Sequence, residues 1–300
     1  MSHQPPSVVC AGRVYCDLIF TGVPQMPVLG QEVFADELAL HAGGGAFITA
    51  ATFAALGVKT SVAATLPAPP FDGLVRNALT MADVDASLCQ DSAAGAQPQI
   101  TVATVFGGDR AFLTHKSGAA VPEISFTDAG FTHLHIGELA TLAQQPDLLD
   151  KARAAGMTVS SDCGWDADVI GAGRDLTDLV AGLDVFLPNA SEFDGLIASG
   201  LDQGKLPLTV VKLGDQGAKL WDGHAWHTAP TTPVEAVDTT GAGDAFNGGF
   251  LSQWLAKAPY AQCLNRANTC GAATVQHVGG TGGLHALKAD PQTAIGATVK

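Results

Sequence analysis

Val237-Asp238-Thr239-Thr240-Gly241-Ala242-Gly243-Asp244-Ala245-Phe246-Asn247-Gly248-Gly249-Phe250 joins a glycine-rich turn, a carboxylate and an amphipathic helix within fourteen residues. Gly241 and Gly243 let the backbone bend and approach a ligand, and the apolar positions Phe246, Phe250, Leu251, Trp254 and Leu255 recur at helical spacing. A helix is therefore expected to start near Ala242. Its first amides have no acceptor within the helix and, with the helix dipole, form an anion site. Asp244, in that first turn, is placed to take the proton of a hydroxyl attacking a phosphate held by those amides. An isolated G-x-G-D run is equally compatible with an ordinary turn whose Asp complements the dipole.

Outward from this stretch, strand-like and helix-like segments alternate. Strands are expected at 8–11, 61–64, 132–136, 157–160, 185–187 and 208–212, and helices at 46–56, 71–81, 142–155, 191–198 and 261–278. This alternation implies a mostly parallel sheet covered on both faces, with ligands beyond the carboxyl ends of the strands. Two regions break it: 32–40 and 100–114 are strand-like, the second with a turn at Gly107-Gly108-Asp109, and they form either a small separate sheet or an edge hairpin. No linker or repeat interrupts the 300 residues, so a single domain over 1–300 is expected.

Composition narrows the function classes. A net charge of −14 argues against nucleic acid and anionic membrane as partners, because both require clustered Lys and Arg. Residues 1–7 show no basic region followed by an apolar run and no stretch is long enough to span a bilayer, so a cytoplasmic protein is expected. The six cysteines show neither C-x-x-C pairs nor zinc-ligand spacing, so reduced thiols are expected.

Other short constellations carry two readings each. His41-Ala42-Gly43-Gly44-Gly45 precedes a helix and serves either close backbone contact or ligand approach. Asp17 could accept hydrogen bonds from two adjacent hydroxyls or lie in a surface turn, and Glu138, after the strand 132–136, has the same pair of readings. Asn189-Ala190-Ser191-Glu192 reads as an N-cap with an acid three residues on. Lys212-Leu213-Gly214-Asp215-Gln216-Gly217 reads as a hairpin turn with left-handed glycine.

Together these segments resemble the ribokinase, or PfkB, family of carbohydrate kinases, from Asp17 through the glycine triplet and N-x-x-E to the fourteen-residue C-terminal signature. The resemblance implies a ribokinase-like α/β fold: a central mostly parallel sheet flanked by helices, with a small β-sheet lid from about 13–41 and 98–117 that often makes a dimer contact. It implies ATP as phosphoryl donor and a sugar or nucleoside as acceptor. Asp244 would be the base, and the amides of Gly241, Ala242 and Gly243 the anion hole. Asn189 and Glu192 would organise Mg²⁺ and the phosphates, often through water. Lys212, Gly214, Gly217, Asn268 and His277 would face the nucleotide. Asp17, Gly43, Gly44 and Glu138 would face the acceptor. A monovalent cation, K⁺, would lie behind the anion hole near Asp238, Thr240 and Gly279.

One departure matters: Ile48 stands where many members carry an Asn that contacts a sugar hydroxyl. With Phe47, Tyr15 and Phe106, it predicts a partly apolar acceptor pocket suited to a nucleobase or deoxy position as well as a plain pentose. The competing class is a non-catalytic sugar- or nucleotide-binding regulatory protein on the same fold. A dinucleotide-dependent oxidoreductase falls far behind, since neither G-x-G-x-x-G nor a Walker motif follows the strand 8–11.

Overall fold

The computed structural model describes residues 5–106, 109–127, 129–171 and 176–288. Its strands are β1 Ser7–Ala11, β2 Tyr15–Thr21, β3 Glu37–Gly43, β4 Lys59–Ala63, β5 Ile100–Phe106, β6 Asp109–His115, β7 His133–Ile136, β8 Thr158–Asp162, β9 Val185–Leu187, β10 Leu208–Lys212, β11 Ala218–Trp221 and β12 Trp226–Ala229. Its helices are α1 Gly45–Ala55, α2 Asp72–Met81, α3 Leu139–Gln144, α4 Asp147–Ala154, α5 Ala167–Ile170, α6 Thr177–Ala181, α7 Ala190–Ala198, α8 Ala242–Leu255, α9 Tyr260–Thr274 and α10 Leu284–Lys288.

Eight strands form the main sheet in the order β12-β11-β10-β9-β8-β7-β1-β4, parallel from β10 to β4 and antiparallel at β11 and β12. Side chains alternate across a strand, and the core divides accordingly. Val8, Cys10, Val185 and Leu187 join the cluster under α1, α8 and α9, while Val9, Ala11 and Phe186 join the opposite cluster under α3, α4 and α7. With both faces buried, β1 and β9 read as nearly continuous apolar runs, while β7 and β8 bury His133, His135, Ser160 and Ser161 as well.

The lid is a four-stranded sheet in the order β3-β2-β5-β6, with β2 and β5 parallel and the outer pairs antiparallel. Its register separates two faces. Asp17 lies opposite His41 and Thr101, Thr101 opposite Thr114, and Ala103 opposite Phe112. Asp17, Ile19, Thr101 and Ala103 on this side are buried. The other side carries Leu18, Leu40, Val102 and Leu113, and it leaves Leu40 and Leu113 exposed.

Four expectations change. The helix over 142–155 is two helices broken at Gln145-Pro146, because proline disfavours helical backbone at the residue before it and Gln145 sits at φ −130° and ψ 64°. The strand over 32–40 begins at Glu37 and runs to Gly43. Its central neighbour, β2, was not anticipated. The last long helix ends at Thr274. The expected lid turn at Gly107-Gly108 lies outside the described residues.

Candidate active site

α8 starts at Ala242, with Gly241 as its cap in the left-handed region at φ 72°, and Asp244 lies in its first turn. Close approach on both sides fixes this helix. A Cβ on Gly248 would come within 2.7 Å of Thr52 on α1, and one on Gly249 within 2.8 Å of Cys270 Sγ on α9. The Thr49 hydroxyl donates to the Asp244 carbonyl at 3.1 Å, a second tie to α1.

The helix start divides two cavities. One, of about 310 Å³, is lined by Asp244, Asp162, Glu138, Gly45, Gly137, Arg13, Tyr15, Thr114, Lys116 and Thr141 among others. The second, of about 390 Å³, is lined by Ala242, Gly243, Lys212, Gly214, Gly217, Phe246, Asn268, Gly271 and the loop Thr231–Val234. A side chain on Gly45 would strike Asp244 Oδ1 and the Gly137 carbonyl. Glycine there keeps the Asp244 carboxylate open to the first cavity.

Between the cavities lies a cluster of charge. Lys212 Nζ donates to Asp162 Oδ1 and Oδ2 at 2.9 and 2.8 Å and to Asn247 Oδ1 at 3.2 Å, and Asn247 Nδ2 donates to Asp162 Oδ2 at 2.6 Å. Glu192 is buried in a capping box with Asn189: the Glu192 amide donates to Asn189 Oδ1 at 2.9 Å, and the Asn189 amide donates to Glu192 Oε2 at 2.8 Å. Burial pushes Asp244 up to about 8; neighbouring Asp162 adds to this and Lys212 opposes it. Burial and Asp162 likewise raise Glu192 to about 7. Lys212 stays firmly protonated, because Asp162 and Glu192 outweigh its burial. One lysine thus faces three carboxylates, a balance that an added cation would complete.

Beneath the turn, Asp238 is almost wholly enclosed. Its Oδ1 accepts from the Thr240 amide at 2.9 Å, the Thr240 hydroxyl at 2.6 Å and Arg110 Nη1 at 3.1 Å, and its Oδ2 accepts from the Gly279 amide at 2.8 Å. Arg110 Nη1 also donates to Thr240 Oγ1. Burial opposes the charge on Asp238, but these donors hold its pKa below the ordinary carboxylate range.

Residues 6–287 match the model of the pfkB family of carbohydrate kinases. The chain belongs to that family. An ATP-dependent ribose-1-phosphate kinase from Halopiger xanaduensis is 33% identical over 158 residues, which are 49% of each chain, so the match spans about half of that relative's length. A ribokinase from Arabidopsis thaliana, solved with ribose and ATP, superposes with a TM-score of 0.78 at 19% identity over 96% of this chain and all of that one. A fructokinase double mutant from Vibrio cholerae O395, bound to fructose, ADP and a potassium ion, gives 0.72 at 20% identity over 96% and 98%. These structures share the pfkB-family fold with this chain.

The structure brings together most of the residues that the motifs single out. Gly214 and Gly217, at φ 61° and 87°, form the β10–β11 turn in the wall of the second cavity. Asn268 lines that cavity and donates to the Ala229 and Pro230 carbonyls, each at 3.2 Å. Glu138 lines the first cavity. Its Oε1 accepts from the Arg13 amide at 3.0 Å and from the Thr141 hydroxyl, and burial raises its pKa to about 7. Asp17, like Gly43 and Gly44, is not part of the first cavity's wall; it lies on the inner lid face so close to Gly43 that a Cβ there would overlap Oδ2 at 1.8 Å. Burial also lifts the Asp17 pKa to about 7. Gly44 caps α1 at φ 100°, where a Cβ would strike the Arg13 carbonyl.

Three placements differ from expectation. Ile48 does not line the acceptor-side cavity. One turn into α1, it is directed beneath the anion turn, where its Cδ1 lies 2.4 Å from a Cβ built on Gly280 and 3.0 Å from one on Gly241. Phe47 is buried in the core and Phe106 is exposed at the end of β5, so of the apolar set only Tyr15 reaches the cavity, where Trp165 supplies a second aromatic wall. His277 is exposed past the end of α9, with its ring centroid 5.2 Å from that of His285, and is absent from the second cavity's wall.

Sequence reasoning missed Asp162, Asn247 and Arg110 as site residues. Asp162 ends a parallel strand, the position where ligands gather in such sheets, and Asn247 follows Asp244 by one helical turn. Arg110 had no local signal.

Proposed function

We propose that this chain is an ATP-dependent phosphotransferase that moves the γ-phosphoryl group to a hydroxyl of a sugar or nucleoside. One observation carries the reading: the start of α8 stands between two cavities, with the amide-bearing turn facing one and the Asp244 carboxylate facing the other. Nucleotide would lie against Gly214, Gly217, Asn268 and the turn. The acceptor would lie against Glu138 under the lid, with Asp17 near it. As the acceptor oxygen attacks, Asp244 takes its proton, and the amides of Gly241, Ala242 and Gly243 hold the charge that gathers on the phosphoryl oxygens.

The excess of carboxylate over lysine at Asp162, Glu192 and Asp244 fits a hard divalent cation such as Mg²⁺. Among the described residues no group of three or more His, Cys, Asp or Glu is arranged to ligate a metal directly. Mg²⁺ would therefore be held chiefly by phosphates and water, with Glu192 and Asn189 outside them, and would supply charge neutralisation at the β- and γ-oxygens. The apolar outer lid face, with Leu18, Leu40, Val102 and Leu113, fits a homodimer contact. A cytoplasmic location fits ATP as the donor.

The test is ADP formation across sugars, sugar phosphates and nucleosides, with and without Mg²⁺. Acceptor-dependent, Mg²⁺-dependent ADP release is expected. Ligand binding with no ADP release for any acceptor would instead favour a regulatory binding protein.

A further inference from the structure

We propose that Arg110, on the inner face of the lid, is a positioning residue for the anion turn: its guanidinium neutralises Asp238 and ties the lid to the 239–243 turn through the Thr240 hydroxyl. The inference rests on the kinase reading above for its kinetic arm only.

Three observations support it. The pair is enclosed, with the side chains of Arg110 and Asp238 14% and 2% exposed. The lost hydration of Asp238 must therefore be replaced by fixed donors. Its four donors come from separate pieces of chain: Thr240 within the turn, Gly279 beyond α9, and Arg110 from a strand 128 residues away in sequence. The carboxylate is consequently a joint at which three segments meet. Arg110 also contacts the turn itself through the Thr240 hydroxyl, one residue before the left-handed Gly241 cap.

The lid makes a second contact at this joint, since a Cβ on Gly279 would meet His41 Nδ1 at 2.7 Å. The Phe112 ring lies 5.2 Å from the Arg110 guanidinium carbon and braces it from the lid side. A permanent cation suits the place, because one nitrogen, Nη1, donates to the Asp238 carboxylate and the Thr240 hydroxyl together and the guanidinium keeps its charge at every working pH.

Two consequences follow. The turn has its full geometry only when the lid sheet lies over it, so lid seating and phosphoryl positioning are one event. The cation position expected near Asp238, Thr240 and Gly279 is served by a side chain of the protein, so turnover does not depend on added K⁺.

The experiment compares the parent with Arg110→Ala and Arg110→Lys in tetramethylammonium, potassium or low guanidinium chloride at constant ionic strength. Two readouts are used: kcat and KM for ADP formation, and hydrogen exchange of the 239–243 amides. The parent rate is expected to stay within about twofold across the three salts. Arg110→Ala is expected to lose roughly 10²-fold in kcat with little change in acceptor KM, the scale of an ångström misplacement. Guanidinium or K⁺ should recover part of that loss, and Arg110→Lys should keep most of the parent rate. The turn amides should exchange faster in Arg110→Ala and slow again with guanidinium.

Unchanged exchange at 239–243 in Arg110→Ala, or a parent enzyme activated many-fold by K⁺, overturns the proposal. If no acceptor supports ADP release in the parent but the exchange pattern holds, the kinase reading fails while the positioning contact stands.

Discussion

The two cavities that meet at α8 are walled differently. The one assigned to nucleotide is made mostly of glycine, backbone and small apolar residues, with Lys212 at its inner end. The one assigned to acceptor is walled by titratable and hydroxylic side chains from separated segments: Arg13, Thr114, Glu138, Asp162 and Asp244. Backbone donors survive many side-chain changes, so the nucleotide side depends on where helices and turns begin. The acceptor side depends on individual groups and on their charge.

Substitutions should therefore separate the two sides, and the largest effect is expected at their junction. Asp244→Asn should lower turnover by roughly 10² to 10⁴, the usual worth of a positioned general base, while nucleotide affinity stays near that of the parent. Single-turnover rates and nucleotide titration check this. Equal losses in both would mean that the cavities are not separable.

Lys212→Met tests whether the charge cluster between them is one unit. Removing the lysine leaves the buried Asp162 carboxylate with only the Asn247 amide and the Cys163 backbone as donors and should cost about 3 to 5 kcal/mol in denaturant unfolding. A loss below about 1 kcal/mol would show that Lys212 is not what balances them.

Asp17→Ala is expected to reduce kcat/KM for the acceptor by the equivalent of about 2 to 4 kcal/mol, since hydrogen bonds to a charged partner are worth about 1.5 to 3 each and water replaces part of them. ATP affinity should hardly move. A matching fall in ATP affinity would remove Asp17 from the acceptor side.

The smallest effect is on stability against pH. Asp244, raised to about 8, and Asp17, Glu138 and Glu192, raised to about 7, stay protonated in the ligand-free fold where the unfolded chain has already ionised near 4. The folded state binds more protons in that window. The contribution of these four groups to stability is full below about pH 4 and is lost as pH rises to 8. The thermal midpoint should fall as pH is raised from 5 to 8.5. Asp244→Asn should flatten the upper part of that slope; an unaltered slope would contradict the assignment.

The contrast also explains what could be read from the chain beforehand. Gly241, Asp244, Asn189 and Gly214 announce themselves locally, because a helix start or a tight turn is decided by a few adjacent residues. β1, β9 and β10 are short apolar runs for the same reason. β2 escaped because Tyr15-Cys16-Asp17-Leu18-Ile19 has polar residues on its inner face and apolar ones on both, which blurs the period of two. Ile48 was misplaced because motif position counts residues along a helix, whereas the side chain's target depends on what lies beside that helix, here Gly241 and Gly280. Arg110 finds Asp238 only once β6 is laid over the turn.

Gly248 and Gly249 have a practical consequence. With α1 and α9 nearly in contact with its backbone, α8 has no slack, and even a methyl group added at either position must move a neighbouring helix. Anyone redirecting such a protein to a new acceptor should leave this helix untouched and vary the inner lid strands, where exchange of a side chain alters the mould without shifting the tool.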